Sequence, residues 1–185
     1  VYVASVTDWA MTIAFDENTI RSNGLPLAAG GTDSTGGIGI LAGGTSRIVS
    51  SIEDSTFQTN NGIDIHGIVG DGPTTSSSAR LDINIDRNQL TSAQLAQTED
   101  GILATGIRLV ADTGTLNAFV NSNVIEGDPT ILSATYDRMT AIYSTSQSDA
   151  ALSTVLGTNG LNVNGGSGNE IRNWHIGVEF DTENS

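Results

Sequence analysis

Two short sequence units recur in a fixed order along this chain of 185 residues. In the first unit a polar residue, usually asparagine, stands two positions before a large apolar residue. Its five copies are Asn18-Thr19-Ile20, Ser55-Thr56-Phe57, Asn88-Gln89-Leu90, Asn123-Val124-Ile125 and Asn169-Glu170-Ile171. The second unit is a small residue followed by alternating apolar residues, with copies beginning at Gly37, Gly62, Gly106, Ala141 and Gly177. Such a long, ordered period predicts a repeat architecture, in which one repeat cannot bury its apolar residues alone.

Alternation of apolar and polar residues dominates the rest of the sequence. Residues 81–86 alternate strictly, which is the signature of a strand with one buried face. The best candidate for a helix, residues 91–104, is short and contains Gly101. Segments rich in Gly, Ser, Thr, Asn and Asp separate the alternating runs and predict turns. We therefore expect an all-β chain.

Stacked repeats would bury the residues that a single repeat leaves exposed. If each repeat is one coil, its strands pair in parallel with the next coil about 4.8 Å away, and equivalent side chains form columns. The apolar residue of the first unit would point inward. Its asparagine would lie at a turn, where asparagine tolerates a left-handed backbone and stacked amides hydrogen-bond to one another. The small residue of the second unit would suit a sharp bend.

These columns predict one domain over residues 1–185, a right-handed parallel β-helix, or β-solenoid, of about five to six coils. The pattern resembles the right-handed parallel β-helix superfamily, which contains pectate lyases, phage tailspikes and autotransporter passenger domains. The resemblance covers roughly residues 11–180 and rests on the repeats, not on a catalytic signature. Residues 150–168 interrupt the period and would need a long loop or a partial coil. An irregular β-sandwich is the alternative, because it shares short strands separated by turns.

The charge of the chain limits its partners. It contains 7 arginines, no lysine and 21 acidic residues, which gives a net charge of −14. Nucleic acids and anionic membranes require a basic surface, so neither is an expected partner. The sequence also has no apolar run long enough for a transmembrane helix.

Alignment of the repeats places Asp16, Glu53 and Asp86 in one outward column. Carboxylates at strand spacing repel one another unless water or a cation separates them, and Ca²⁺ prefers oxygen ligands of this type. Calcium that stiffens the solenoid is therefore the one cofactor we consider. A solvated acidic face without a metal is the alternative.

Two sets of residues are candidates for acid–base chemistry. Asp64 and His66 are two positions apart, so both can face outward, and they form the best general-base candidate. Asp82 and Asp86 share the outward face of one strand with Arg87 next to them, which would suit chemistry on a uronic sugar. A surface histidine bonded to a carboxylate and an ordinary polar strand face are the structural alternatives.

A further outward column, Arg108, Tyr143 and Glu179, is a candidate for binding a glycan or a protein. Because no set of catalytic residues converges, we expect a secreted or cell-surface structural or adhesive module without catalysis of its own. The alternative is a polysaccharide lyase or glycoside hydrolase, including the tailspike type, that acts on an extracellular polysaccharide. The ends of a solenoid expose strand edges. No cap is evident at residues 180–185, so we expect a longer solenoid or end-to-end association.

Overall fold

The regular structure is entirely β, arranged as three parallel sheets. The computed structural model describes residues 1–21, 35–60, 62–70, 78–91, 104–127, 139–147, 150–155, 168–174 and 176–183. Within these ranges there is no helix, and hence none that is long and apolar enough to cross a membrane. Of the candidate helix at residues 91–104, Thr91 and Ala104 lie in strands, and residues 92–103 lie outside the described residues.

Each sheet collects every third strand of the chain. Sheet A contains β1 (Tyr2–Ser5), β4 (Thr35–Ala42), β7 (Ile63–Val69), β10 (Ala104–Ala111), β13 (Met139–Gln147) and β16 (Ile176–Glu183). Sheet B contains β2 (Ala10–Asp16), β5 (Arg47–Glu53), β8 (Arg80–Asp86), β11 (Gly114–Asn121) and β14 (Ala150–Val155). Sheet C contains β3 (Thr19–Arg21), β6 (Thr56–Gln58), β9 (Gln89–Thr91), β12 (Val124–Glu126) and β15 (Glu170–Arg172).

The chain visits sheets A, B and C in this order, so the predicted β-solenoid is confirmed. Every pairing among the described strands is parallel, which rules out the alternative β-sandwich with its antiparallel hairpins. Residues 150–168, which interrupt the sequence period, begin with a regular strand of sheet B. This strand, β14, pairs with β11 from Gly114↔Ala150 to Phe119↔Val155. Residues 156–167 lie outside the described residues.

The core consists of inward columns that run through the stack. The register confirms the predicted column in sheet C, in which Ile20, Phe57, Leu90, Ile125 and Ile171 pair in turn. Equivalent columns in the other sheets include Ile48, Leu81 and Leu116 in sheet B and Ile38, Ile65 and Ile107 in sheet A. All of these residues except the terminal Ile20 and Ile171 are buried in one cluster. Burial of each such side chain contributes about 1.5–3 kcal/mol.

A ladder of polar side chains runs beside the column of sheet C. The backbone N–H of Ser55 donates to Asn88 Oδ1 at 3.0 Å, that of Asn88 to Asn123 Oδ1 at 2.9 Å, and that of Asn123 to Asn169 Oδ1 at 3.2 Å. The amide of Asn88 also donates to the Ile52 carbonyl at 2.7 Å and to Asn123 Oδ1 at 3.0 Å. The ladder satisfies backbone groups that the turn between sheets B and C would otherwise bury without partners.

The left-handed backbone occurs one residue before this ladder, so the prediction that placed it at the asparagines is wrong. Glu17, Asp54, Arg87 and Ser122 have φ angles of 52°, 49°, 54° and 53°. This conformation bends the chain between sheets B and C, and the next side chain hydrogen-bonds along the stack. The asparagines are therefore required for their amides, while the turn itself is made by residues with no shared chemistry.

The second repeat unit is also shifted by two residues in one coil. Ile38 and Ile107 both pair with Ile65, and not with Ile63 as the sequence alignment predicted. Ile142 pairs with Ile107 as expected. Apolar residues alternate at both Ile63 and Ile65, so the sequence pattern does not show which of the two belongs to the column. The residue in the small-residue column of this coil is consequently Asp64.

The polar ladder predicts a large cost for Asn88→Ala. The substitution leaves the Ser55 N–H and the Ile52 carbonyl buried without their partner, and each such group costs about 1–3 kcal/mol. We expect the free energy of unfolding in urea to fall by about 2–4 kcal/mol. Asn18→Ala is the matched control, because its exposed amide donates only to the Asp16 carbonyl, and it should cost less than about 1 kcal/mol. Equal losses in the two variants would contradict the ladder.

Candidate functional site

The outer face of sheet B carries a shallow groove. Its volume is about 350 Å³, and it crosses β5, β8 and β11. The groove is lined by Val49, Ser50, Asp82, Ile83, Asn84, Asn117, Ala118 and Phe119. The register aligns these residues in two rows across the strands. Val49, Asp82 and Asn117 form one row, and Asn84 and Phe119 belong to the next.

The groove combines fixed polar groups with exposed apolar ones. Phe119 and Val49 are 37% and 39% exposed, so both offer apolar surface to a ligand. Asn117 Nδ2 donates to Asp82 Oδ1 at 2.8 Å, and Asn84 Nδ2 donates to Glu53 Oε1 at 2.9 Å. Both amides are therefore held in place before any ligand arrives.

Asp82 is an ionised carboxylate in this arrangement. Partial burial raises its pKa, but hydrogen bonds from Asn117 and Arg80 and the charges of Arg80 and Arg47 outweigh burial, so the pKa lies below its ordinary value. Arg80 Nε contacts the two carboxylate oxygens at 2.9 and 2.8 Å, and Arg47 Nη2 lies 3.6 Å away. A general acid needs a raised pKa. Asp82 is arranged instead to accept hydrogen bonds.

The predicted acidic column exists, and an arginine lies against it. Asp16 pairs with Glu53, and Glu53 pairs with Asp86. Arg87 donates from Nη2 to Glu53 at 3.0 Å, and its Nη1 also contacts Asp86. Arg87 further binds Asp54, at 2.9 Å from Nε and 2.7 Å from Nη2.

This contact lowers the electrostatic repulsion within the column. The hydrogen bond from Arg87 lowers the pKa of Asp54, while the same bond and the charge of Asp86 raise the pKa of Arg87. In the described part of the chain, no group of three or more His, Cys, Asp or Glu side chains is arranged to hold a metal ion. Calcium at Asp16, Glu53 and Asp86 stays a prediction. The guanidinium supplies the positive charge that the sequence reasoning assigned to the ion.

The general-base candidates Asp64 and His66 are both buried, at 1% and 7% exposure, so the expectation that both face solvent is wrong. Asp64 accepts a hydrogen bond from Asn60 Nδ2 at 2.9 Å, and the same nitrogen lies 3.2 Å from the Ile20 carbonyl. The other carboxylate oxygen, Oδ2, has no hydrogen-bond partner in the described structure. Burial lowers the pKa of His66 to about 4, so this imidazole is neutral at physiological pH.

Asp64 is buried because its neighbours in the stack are glycines. Thr105 pairs with Ile63 and Ile107 with Ile65, which places Gly106 opposite Asp64. A Cβ atom on Gly106 would lie 2.8 Å from Ile125 Cγ2, so this corner of the coil faces the apolar column. Desolvation at this corner raises the pKa of Asp64 to about 7, although the bond from Asn60 opposes the shift.

The candidate ligand column on sheet A is brought together as predicted. Arg108 pairs with Tyr143, and Tyr143 pairs with Glu179. The guanidinium carbon of Arg108 lies 5.8 Å from the centre of the Tyr143 ring, and Thr140 Oγ1 donates to Glu179 Oε2 at 3.2 Å. Tyr143 is only 5% exposed, so the expectation that this column faces solvent is wrong at Tyr143. Ligand binding by this column stays a prediction.

Sequence reasoning missed most residues of the groove, among them Asn117 and Phe119. Their signal is present in the alternation of β11, where Leu116, Ala118 and Val120 point inward and the odd-numbered positions point outward. A phenylalanine at an outward position is the anomaly that would have identified the site. Two further groove residues, Asp82 and Asn84, were correctly placed on the outward face of β8.

No protein-family model, curated protein or solved structure shows significant similarity to the chain. The fold assignment therefore rests on the parallel register of the three sheets. That register shows a parallel β-solenoid, which is the general fold that the sequence resemblance implied. The groove on sheet B is an open surface site that spans three paired strands.

The burial of Asp64 predicts that Asp64→Asn stabilises the protein at neutral and alkaline pH. The folded-state pKa of about 7 lies above the ordinary value of 3.8, so Asp64 stabilises the fold most below pH 4 and loses this contribution as pH rises through 7. The amide resembles the protonated acid and does not ionise. We expect the difference in melting temperature between variant and wild type to grow from pH 4 to pH 7 and then level off.

His66 changes stability in the opposite direction over the same range, because its folded-state pKa is lowered from 6.5 to about 4. The comparison of variant with wild type at each pH cancels this contribution. Asp16→Asn is the control, since it removes the same charge from an exposed side chain. A pH-independent difference for Asp64→Asn would contradict the assignment.

Arg87→Gln should weaken the fold and create a response to calcium. The variant removes the cation that contacts Glu53, Asp54 and Asp86. We expect a lower melting temperature at low ionic strength and a larger stabilisation by Ca²⁺ than in the wild type, measured by calorimetry. Arg172→Gln is the control, because Arg172 binds Glu170 outside this column. An equal calcium response in wild type and Arg87→Gln would contradict the role of Arg87.

Proposed function

We propose that this chain is a structural β-solenoid module that binds an extended glycan in the groove of sheet B, without catalysis of its own. The observation that carries the proposal is the pairing of pre-positioned polar groups with the exposed Phe119 ring in one open groove. Binding sites of this kind use a small number of fixed polar groups for orientation and apolar surface for affinity.

The chemistry of the groove suits sugars. The amide nitrogens of Asn84 and Asn117 are bonded to carboxylates, so their oxygens are left to accept hydrogen bonds from hydroxyl groups. The Phe119 ring offers a flat apolar surface to the C–H face of a sugar. Strands about 4.8 Å apart repeat these groups across the sheet, which favours a chain of sugar units over a single small molecule.

The charge of the protein favours a neutral glycan. A net charge of −14 repels polyanions, which disfavours an acidic polysaccharide as the ligand. Strong acidity and the absence of lysine also suit an extracellular or cell-surface setting, where salt screens the repulsion within the solenoid.

The alternative function, a polysaccharide lyase or glycoside hydrolase, has less support. Asp82 has a lowered pKa and is bound by Arg80, and Asp86 contacts Arg87, whereas glycoside hydrolysis needs one carboxyl group with a raised pKa. The carboxyl group with a raised pKa, Asp64, is buried at a corner of the coil.

Binding to a panel of immobilised neutral and acidic oligosaccharides tests the proposal. We expect retention of a neutral oligosaccharide, and a loss of affinity of at least about tenfold in Phe119→Ala, because removal of one well-packed aromatic contact costs about 1.4 kcal/mol or more. Trp9→Ala is the matched control, since Trp9 is 69% exposed and lies outside the groove. Equal losses in both variants, or no binding to any member of the panel, would contradict the proposal. Release of reducing ends or of unsaturated products from a bound glycan would favour the enzyme.

A further inference from the structure

The exposed apolar side chains of the groove lie on one diagonal of sheet B. Val49 belongs to β5 and Phe119 to β11, and β8 lies between these two strands. The register pairs Val49 with Asp82, whereas Phe119 pairs with Asn84, two residues further along β8. The two apolar side chains are therefore offset by two strand spacings across the sheet and by two residues along it.

Sheet geometry gives the length of this diagonal. Neighbouring strands are about 4.8 Å apart, and each residue advances about 3.3 Å along a strand. The Cα atoms of Val49 and Phe119 consequently lie about 12 Å apart across the groove. One sugar unit of an extended glycan advances by nearly the distance between two strands, so about three units are needed to cover both side chains.

The opposite diagonal of the groove is polar. At its two ends lie Ser51 on β5, which pairs with Asn84, and Asn117 on β11, which pairs with Asp82. Asn117 is held in place by its hydrogen bond to Asp82, at 2.8 Å. A ligand along this diagonal would meet no apolar side chain at either end. The groove therefore favours one direction of the ligand over the other.

Charged side chains border the groove at both ends of its strands. The first and last residues of β8 are Arg80 and Asp86, and those of β5 are Arg47 and Glu53. All four form ion pairs with a neighbouring charge. A neutral ligand that lay along the strands would cover these charges and remove water from them, which costs free energy. A ligand that crosses the strands avoids both borders.

We propose that the groove binds a neutral β-1,4-linked glycan, of which about three sugar units lie on the diagonal from Val49 to Phe119. This inference rests on the glycan binding proposed above, and adds to it the linkage and the length of the bound segment. A β-1,4-linked chain of glucose or mannose units is an extended ribbon, so the rings at both of its ends can lie on a flat sheet. An α-1,4-linked chain curves away from such a surface.

Polar contacts lie between the two apolar ends. The amide nitrogens of Asn84 and Asn117 already donate to Glu53 and Asp82, so the amide oxygens are the groups that face a ligand's hydroxyl groups. Hydroxyl groups project from the edges of a sugar ring, whereas its faces are largely apolar. Apolar contacts at the two ends and acceptors between them select a ligand that is long enough to reach Val49 from Phe119. Val49 thereby determines the length of the ligand.

Isothermal titration calorimetry with β-1,4-linked gluco- and manno-oligosaccharides of increasing length tests the proposal. For the wild type, the dissociation constant should fall at least about fivefold from the disaccharide to the trisaccharide, because the third unit adds the contact with Val49. Each further unit should change the dissociation constant by less than about twofold, since it extends beyond the lining of the groove.

Val49→Ser should reduce the step between disaccharide and trisaccharide to less than about twofold, because the third unit then meets no large apolar side chain. Phe119→Ala should weaken the binding of both ligands. Thr12→Ser is the matched control, since Thr12 pairs with Val49 on the neighbouring strand β2 and lies outside the groove. It should retain the step of the wild type. Circular dichroism and thermal melting check that each variant is folded.

Two outcomes would overturn this inference and leave glycan binding in place. One is an affinity that rises evenly with length, or a step that is equal in wild type and Val49→Ser. The other is stronger binding of α-1,4-linked malto-oligosaccharides than of the β-1,4-linked series. A chain that binds no neutral oligosaccharide would overturn both this inference and the proposed function.

Discussion

The rest of the structure depends on hydrogen bonding between successive coils, above all at the turn between sheets B and C. A short coil buries its turn backbone, and buried N–H and carbonyl groups need partners. Asn88 and Asn123 each supply two partners with one side-chain amide. The amide oxygen accepts a hydrogen bond from a backbone N–H of the preceding coil, and the amide nitrogen donates to a backbone carbonyl of that coil. This ladder fixes the register of the adjacent inward column. With the register fixed, strands of only three residues are sufficient to build sheet C.

The chemically distinctive residues occur where a side chain departs from the pattern of its column. Asp64 stands in a column of small residues, Arg87 lies in a turn beside an acidic column, and Phe119 occupies an outward position among polar neighbours. A continuous column imposes the same surroundings on each member. A residue of different chemistry therefore has surroundings that suit the usual residue of its column. Asp64 is desolvated, Arg87 contacts several carboxylates, and Phe119 remains exposed.

Features that repeat in every coil could be predicted from the sequence, and features confined to one coil could not. The inward column and the polar ladder were predictable, because both repeat with the same chemistry in every coil. The acidic column was predictable for the same reason, but its partner Arg87 was considered only for catalysis, since nothing in a one-dimensional pattern shows that a left-handed turn brings it back to Glu53. The shift at Gly62 was not predictable, because two registers fit the alternation equally well. The burial of Asp64 depended on that shift.

The exposed apolar side chains of the groove belong to fully paired strands, and this limits the kind of partner that the groove suits. In the groove, Val49 and Phe119 belong to strands that are paired on both sides, so their exposure costs no backbone hydrogen bond and a ligand gains only side-chain contacts. A partner in the groove therefore needs only a surface of the right shape and polarity, and the proposed glycan meets this requirement.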